Sequence, residues 1–214
     1  MIQEKNQIRE LGIVPVIILD RAEDASELGN ALLEGNLPCA EITFRTEAAE
    51  DVIRKIAVRH PDILLGAGTV LSVDQAERAV GVGARFIVSP GMNSRIVTWC
   101  LKKDVLVIPG VANPTNIMQA IELGLDLVKF FPAEALGGIS MLKAISAPFG
   151  HISFVPTGGI NPENLSNYLM LNTVHACGGS WLTPRSLIRA GDFEGIKKLV
   201  KEGRKIVVDA RAGK

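Results

Sequence analysis

The sequence predicts an α/β chain folded as a (β/α)8 TIM barrel, a single domain over residues 1–214. Three observations carry that expectation. Short β-branched runs alternate with amphipathic stretches from end to end, the pattern of parallel strands joined by right-handed crossovers. The strand–helix unit returns about every 22 to 25 residues, often enough for eight strands. No GxGxxG follows the first strand and no break in composition interrupts the count, which disfavours an open doubly wound sheet. At 214 residues the chain is near the short end of the usual barrel range.

In order, strands are expected over 14–19, 40–44, 64–67, 86–88, 105–108, 127–130, 154–156 and 174–177. A first helix, 22–33, carries Ala25, Leu28, Leu32 and Leu33, with Gly35 placed to take a left-handed turn after it. A second, 48–58, puts Val52, Ile53 and Ile56 on one face, and Pro61 follows its end. Ser72 and Ser94 can each cap a helix, and Asn113 caps one whose first residue is Pro114. Pro162 suits the start of a helix to residue 169, and residues 193–212 read as a closing outer helix.

Composition narrows the function. The 23 Lys and Arg balance 23 Asp and Glu, so no long-range field gathers nucleic acid or an anionic membrane. The opening MIQEKNQIRELG has acidic residues and no long apolar run, and no stretch approaches the roughly 20 apolar residues of a membrane span. A cytoplasmic protein is expected. Cys39, Cys100 and Cys177 lie far apart without CxxC spacing, and His60, His151 and His175 are equally scattered, so neither a disulfide framework nor a metal site is indicated. Buried thiols are the expected state. Trp99 and Tyr168 sit inside expected outer helices and read as packing.

A barrel places its chemistry at the carboxyl ends of the strands and in the loops beyond them. Four places there stand out. Lys129, in Leu125-Asp-Leu-Val-Lys-Phe-Phe-Pro132, is an amine among apolar and aromatic neighbours. Desolvation favours its neutral form, which can attack a ketone; a lysine that snorkels to water or pairs with a carboxylate is the structural alternative. In Glu41-Ile-Thr-Phe-Arg45, alternation sends Glu41, Thr43 and Arg45 to one face, about 7 Å apart. An acid and an arginine there can shuttle protons and clamp a carboxylate, or form an internal ion pair that holds the barrel. Pro156-Thr-Gly-Gly-Ile160 and Gly178-Gly-Ser-Trp181 follow the seventh and eighth expected strands, where barrels frequently bind phosphate. One Gly-Gly alone is an ordinary turn; two, with the Ser180 hydroxyl, point to an anion. Gly66-Ala-Gly-Thr-Val70 and Ser89-Pro-Gly91 are small-residue loops in which Thr69 offers a hydroxyl. Together the four fit a phosphorylated 2-keto acid.

These segments, with Val128-Lys-Phe-Phe-Pro-Ala-Glu134, resemble the 2-dehydro-3-deoxy-phosphogluconate (KDPG) aldolases, the class I enzymes of the Entner–Doudoroff pathway. The motifs occur in the same order over essentially the whole chain. The resemblance implies a homotrimeric (β/α)8 barrel, a carbon–carbon lyase that needs no cofactor or metal and cleaves its substrate to pyruvate and glyceraldehyde 3-phosphate. It implies Lys129 as the Schiff-base residue and Glu41 as the proton carrier. Arg45 would bind the pyruvyl carboxylate with Thr69, Pro90 would line the pocket, and Thr157 would meet the middle of the substrate. Gly158, Gly159, Gly179 and Ser180 would hold the phosphate. Galactonate-type relatives share the lysine but typically lack the Thr43-Phe44-Arg45 and Pro156-Thr157 patterns. Relatives also cleave 4-hydroxy-2-oxoglutarate, a second activity left open here. A barrel that binds a phosphorylated metabolite without turning it over is the competing reading, against which stand Lys129 and Glu41.

Overall fold

The computed structural model describes residues 1–213. Nine short strands alternate with helices: β1 Ile13–Ile17, β2 Cys39–Thr43, β3 Leu64–Gly68, β4 Phe86–Val88, β5 Leu106–Ile108, β6 Gly110–Val111, β7 Leu127–Phe130, β8 Ser153–Pro156 and β9 Cys177–Gly179. All their pairings are parallel. They form two hydrogen-bonded runs, β5-β4-β3-β2-β1-β9 and β6-β7-β8. Pro109, which has no N–H for a ladder, separates β5 from β6. Its carbonyl still accepts from Lys129 N at 2.9 Å. Beside β8, single bridges join Phe154 to Val174 and Thr157 to Gly178.

The strands are buried almost throughout, as expected of parallel strands with both faces covered. Helices cover the outside: α2 Ala25–Glu34, α3 Ala49–Arg59, α4 Val73–Gly81, α5 Ser94–Lys102, α6 Pro114–Glu122, α7 Gly138–Ser146, α8 Pro162–Leu169, α9 Arg185–Ala190 and α10 Phe193–Ala212. On α3, Val52, Ile53 and Ile56 are fully buried, each worth about 1.5–3 kcal/mol against exposure. Ser72 accepts from Gln75 N at 3.1 Å and Asn113 from Asn116 N at 3.0 Å, the expected caps.

Several expectations are corrected. A first helix, α1 Ile2–Leu11, packs Ile8 and Leu11 inward, although its polar sequence offers little apolar face. The cap of α5 is Asn93, not Ser94. Gly35 has φ −78° and takes no left-handed turn; Asn36, at φ 60°, does. Gly35 is required instead because a methyl there would overlap Val200 of α10. The last strand runs 177–179 rather than 174–177, so Gly178 and Gly179 belong to a strand, paired with Val14 and Pro15.

Candidate active site

Lys129 is the third residue of β7 and Glu41 the third of β2. They are separated by 88 positions, yet Lys129 Nζ lies 3.3 Å from Glu41 Oε1, and only 5% of the lysine and 3% of the glutamate is exposed. The carboxylate fits because Gly68, opposite Thr43 on β3, has no side chain; a methyl there would overlap Glu41 Oε1. Lys129 Nζ also stands 5.3 Å from the centre of the Phe131 ring, within cation–π range. The sequence assigned Phe131 no role; its adjacency to the lysine was the signal available. The ammonium therefore has a buried carboxylate partner, the structural alternative foreseen for Lys129, and that partner is one of the groups singled out for chemistry.

Arg45 does not continue the polar face of β2. The strand ends at Thr43, whose hydroxyl donates to the Ile17 carbonyl at 2.8 Å, and Arg45 stands exposed in the turn beyond. Its Nε donates to Thr69 Oγ1 at 3.1 Å. Thr69 holds a left-handed backbone, φ 55°, just past β3, a conformation uncommon for a β-branched residue. Arg45 and Thr69 are thus together, as the family resemblance implied. The foreseen internal ion pair exists, but between Glu41 and Lys129 rather than Glu41 and Arg45. Pro90 follows β4, half-buried; its carbonyl occupies the space a side chain on Gly110 would need, drawing that loop against β6.

Thr157 is buried at the end of β8. Its N–H donates to Phe130 O at 3.0 Å, and its hydroxyl donates to Val155 O at 3.3 Å. Gly178 must be glycine, because a methyl would overlap Thr157 Oγ1. Gly158 and Gly159 turn the chain with φ 99° and 82°. Their carbonyls are engaged, Gly158 O by Glu134 N at 3.0 Å and Gly159 O by Asn164 Nδ2 at 3.0 Å. The Gly158 N–H is turned to Gly178 O by the bridge between Thr157 and Gly178, whereas the N–H groups of Gly159 and Ser180 have no partner among the described residues. Ser180 is exposed just past β9. Unused backbone donors on two adjacent glycine-bearing segments suit an anion.

Two further residues border this turn. Tyr168 packs its ring completely inside, as expected, but its hydroxyl donates to Glu134 Oε1. Burial and the neighbouring carboxylate both raise its pKa. Away from these segments, burial pushes the Cys39 and Cys177 thiols up and the Cys100 thiol to about 12, which fits inert packing.

Fold and site together define a class: a parallel α/β protein that sets a buried amine–carboxylate pair between two of its strands, beside glycine-bearing segments with free N–H groups. The family model for KDPG and KHG aldolase matches residues 4–199. The chain is 47% identical over 200 residues to the 2-dehydro-3-deoxy-phosphogluconate aldolase of Treponema pallidum, covering 94% of this chain and 95% of that one. Its structure is similar to that of KDPG aldolase from Legionella pneumophila with pyruvate captured as a covalent carbinolamine, with TM-score 0.90, 39% identity and coverage of 93% and 97%. It is also similar to the 2-keto-3-deoxy-6-phosphogluconate aldolase of Zymomonas mobilis with 3-phosphoglycerate, with TM-score 0.88, 36% identity and 95% of each chain covered. The chain belongs to the KDPG and KHG aldolase family.

Proposed function

We propose that the protein is a class I aldolase that cleaves 2-dehydro-3-deoxy-6-phosphogluconate to pyruvate and D-glyceraldehyde 3-phosphate. The observation that carries this reading is the buried 3.3 Å contact between Lys129 Nζ and Glu41 Oε1. The ammonium must lose a proton before it can attack, and Glu41 is the adjacent acceptor. The free amine adds to the C2 ketone, and the carbinolamine hydroxyl takes the proton back from Glu41 and leaves as water, which gives a protonated imine and a carboxylate again. Glu41, directly or through water, then takes the C4 hydroxyl proton. The C3–C4 bond breaks, its electron pair moves into the imine as an enamine, and the C4 carbon leaves as the aldehyde. Reprotonation at C3 and hydrolysis of the imine release pyruvate and restore the amine.

The remaining groups divide the substrate. Arg45 and Thr69 hold the pyruvyl carboxylate, Pro90 lines that pocket and Thr157 meets the hydroxyl-bearing middle. Gly158, Gly159, Gly179 and Ser180 take the phosphate, a reading supported by the unused N–H groups at Gly159 and Ser180. Binding so far from the reacting bond orients it for cleavage. A barrel that merely binds a metabolite is not favoured, since it has no use for a buried Lys–Glu pair. Cleavage of 4-hydroxy-2-oxoglutarate needs the same lysine and no phosphate loop, and we propose it as a second activity.

The strands close into a (β/α)8 barrel of one domain, supported by the continuation of β5 into β6 past Pro109 and by the bridges from β8 to Val174 and Gly178. The family resemblance supports a cytoplasmic homotrimer, and no helix among the described residues is long and apolar enough to cross a membrane.

Borohydride reduction in the presence of pyruvate, read by intact mass, tests the chemistry. One reduced pyruvate adduct per chain is expected, absent from a Lys129→Ala variant whose circular dichroism matches the parent. Cleavage of the phosphorylated acid by that variant should fall on the order of 10⁴-fold or more, the scale of losing a covalent nucleophile. No adduct on the folded parent would remove the lysine from the reaction.

A further inference from the structure

We propose that Glu134 and Tyr168 are positioning residues that hold the Gly158-Gly159 turn in the conformation that receives the substrate phosphate, an inference that rests on the aldolase reading. The end of β7 and this turn run side by side. Ala133 N donates to Thr157 O at 2.8 Å and Glu134 N to Gly158 O at 3.0 Å, which continues the ladder past the strands. The Glu134 side chain then lies flat against the turn: a methyl on Gly159 would stand 2.6 Å from its Cβ and Cγ. Its carboxylate is held from behind by the Tyr168 hydroxyl. Gly138 leaves room for that contact, since a methyl there would stand 2.9 Å from Glu134 Oε1 and 3.2 Å from the tyrosine oxygen.

Helix α8 grips the turn at two points. Asn164 donates from Nδ2 to Gly159 O at 3.0 Å, and its Oδ1 accepts from Asn161 N at 2.9 Å. Tyr168 is four residues further along and therefore on the same face. Both carbonyls of the turn are thus tied toward Glu134 and α8, the Gly158 N–H faces Gly178 O, and the Gly159 N–H is left over. Glycine backbones with positive φ are the most free to relax into other conformations. A turn built from two of them needs outside restraint to keep its free donor, the Gly159 N–H, aimed at an anion. Because Glu134 follows Lys129 by five residues, the same segment carries the amine and braces the phosphate end, fixing the distance between them.

The test compares Tyr168→Phe, Glu134→Ala and Glu134→Gln. Tyr168→Phe keeps the ring and removes only the hydroxyl, and Gln at 134 keeps an oxygen able to accept from it. We expect Tyr168→Phe and Glu134→Ala to raise KM for the phosphorylated acid about 3- to 10-fold, the scale of one lost hydrogen bond, with kcat within about twofold. The stabilisation of the fold by inorganic phosphate, read as the phosphate concentration at half-maximal rise in Tm, should weaken in parallel. The half-saturating pyruvate concentration in borohydride trapping should not move, and Glu134→Gln should behave as the parent. Equal losses toward pyruvate and toward phosphate, or no loss in either variant, would overturn the proposal. If the parent traps no pyruvate, it is the aldolase reading that fails, while the phosphate concentrations still test the brace.

Discussion

At the carboxyl ends of the strands, Lys129 and Glu41 meet in a single buried contact, and Arg45 and Ser180 stay exposed with donors unused among the described residues. At the amino ends the charged groups are spent on α1. Arg85, just before β4, reaches Glu4 at 2.8 Å, and Asp126, just before β7, accepts from Lys5 at 2.5 Å. His175, two residues before β9, donates from Nε2 to Lys5 O at 2.9 Å. Arg211 donates to the carbonyls of Glu10, at 2.6 Å, and Arg9, and Arg204 to that of Leu11. Those are last-turn carbonyls of α1 with no partner inside the helix, where a cation is also favoured by the helix dipole. A polar group matters for chemistry here when its hydrogen-bonding capacity is left over, and for the fold when it is used up.

Removing groups from the carboxyl end should therefore cost function by amounts that follow their distance from the reacting bond. Glu41→Gln keeps the size of the side chain and removes its basicity. Cleavage is expected to fall about 10²- to 10⁴-fold, the usual worth of a general acid–base group. The pyruvate adduct should still form, because its nucleophile is the Lys129 amine, which the substitution leaves in place. Turnover within tenfold of the parent would take Glu41 out of proton transfer. Arg45→Ala should raise the half-saturating pyruvate concentration about 10- to 100-fold, the scale of a charge-assisted hydrogen bond; an unchanged value would end its role as the carboxylate clamp. Ser180→Ala should weaken the phosphorylated acid about 3- to 10-fold and leave pyruvate alone. Equal losses on both would count against the phosphate cradle.

The same contrast explains which parts of the molecule were legible in the sequence. Strand and helix order was readable because β-branched runs and amphipathic faces are local signals, and caps such as Ser72 and Asn113 mark their own helices. Lys129 and Glu41 were readable as residues out of place on apolar strands. Their mutual contact was not, because it joins β2 to β7 across 88 positions. Gly178 and Gly179 read as a loop because paired glycines usually turn; only the Thr157 hydroxyl in the space beside Gly178 shows why a strand should carry them. Gly35 misled for the same reason, its purpose being Val200 on α10, far along the chain. Helix α1 was missed because many of the groups that hold it belong to distant segments. Tyr168 was rightly read as packing, but the destination of its hydroxyl depends on Glu134, 34 residues before it.

The smallest expected effect tests the other side of the comparison. Burial lowers the pKa of His175, as do the charges of Lys5 and Arg9; the Lys5 carbonyl and Asp126 act in the opposite sense. A base whose folded pKa lies below its unfolded value of 6.5 is protonated first in the unfolded chain as pH falls. Stability from this group is therefore complete above about pH 6.5 and declines as pH drops toward the folded pKa. Each kcal/mol lost lowers Tm by about 2–4 °C in a chain of this length. Gln at 175 can still donate to the Lys5 carbonyl but cannot titrate. Between pH 7 and pH 5 the parent should lose more Tm than His175→Gln, by differential scanning calorimetry. At pH 7 the two should cleave substrate at the same rate, because His175 serves α1 and touches none of the groups at the carboxyl ends. A variant that loses turnover while keeping its Tm would show that the amino end of the sheet also reaches the chemistry, and the division between the two ends would fail.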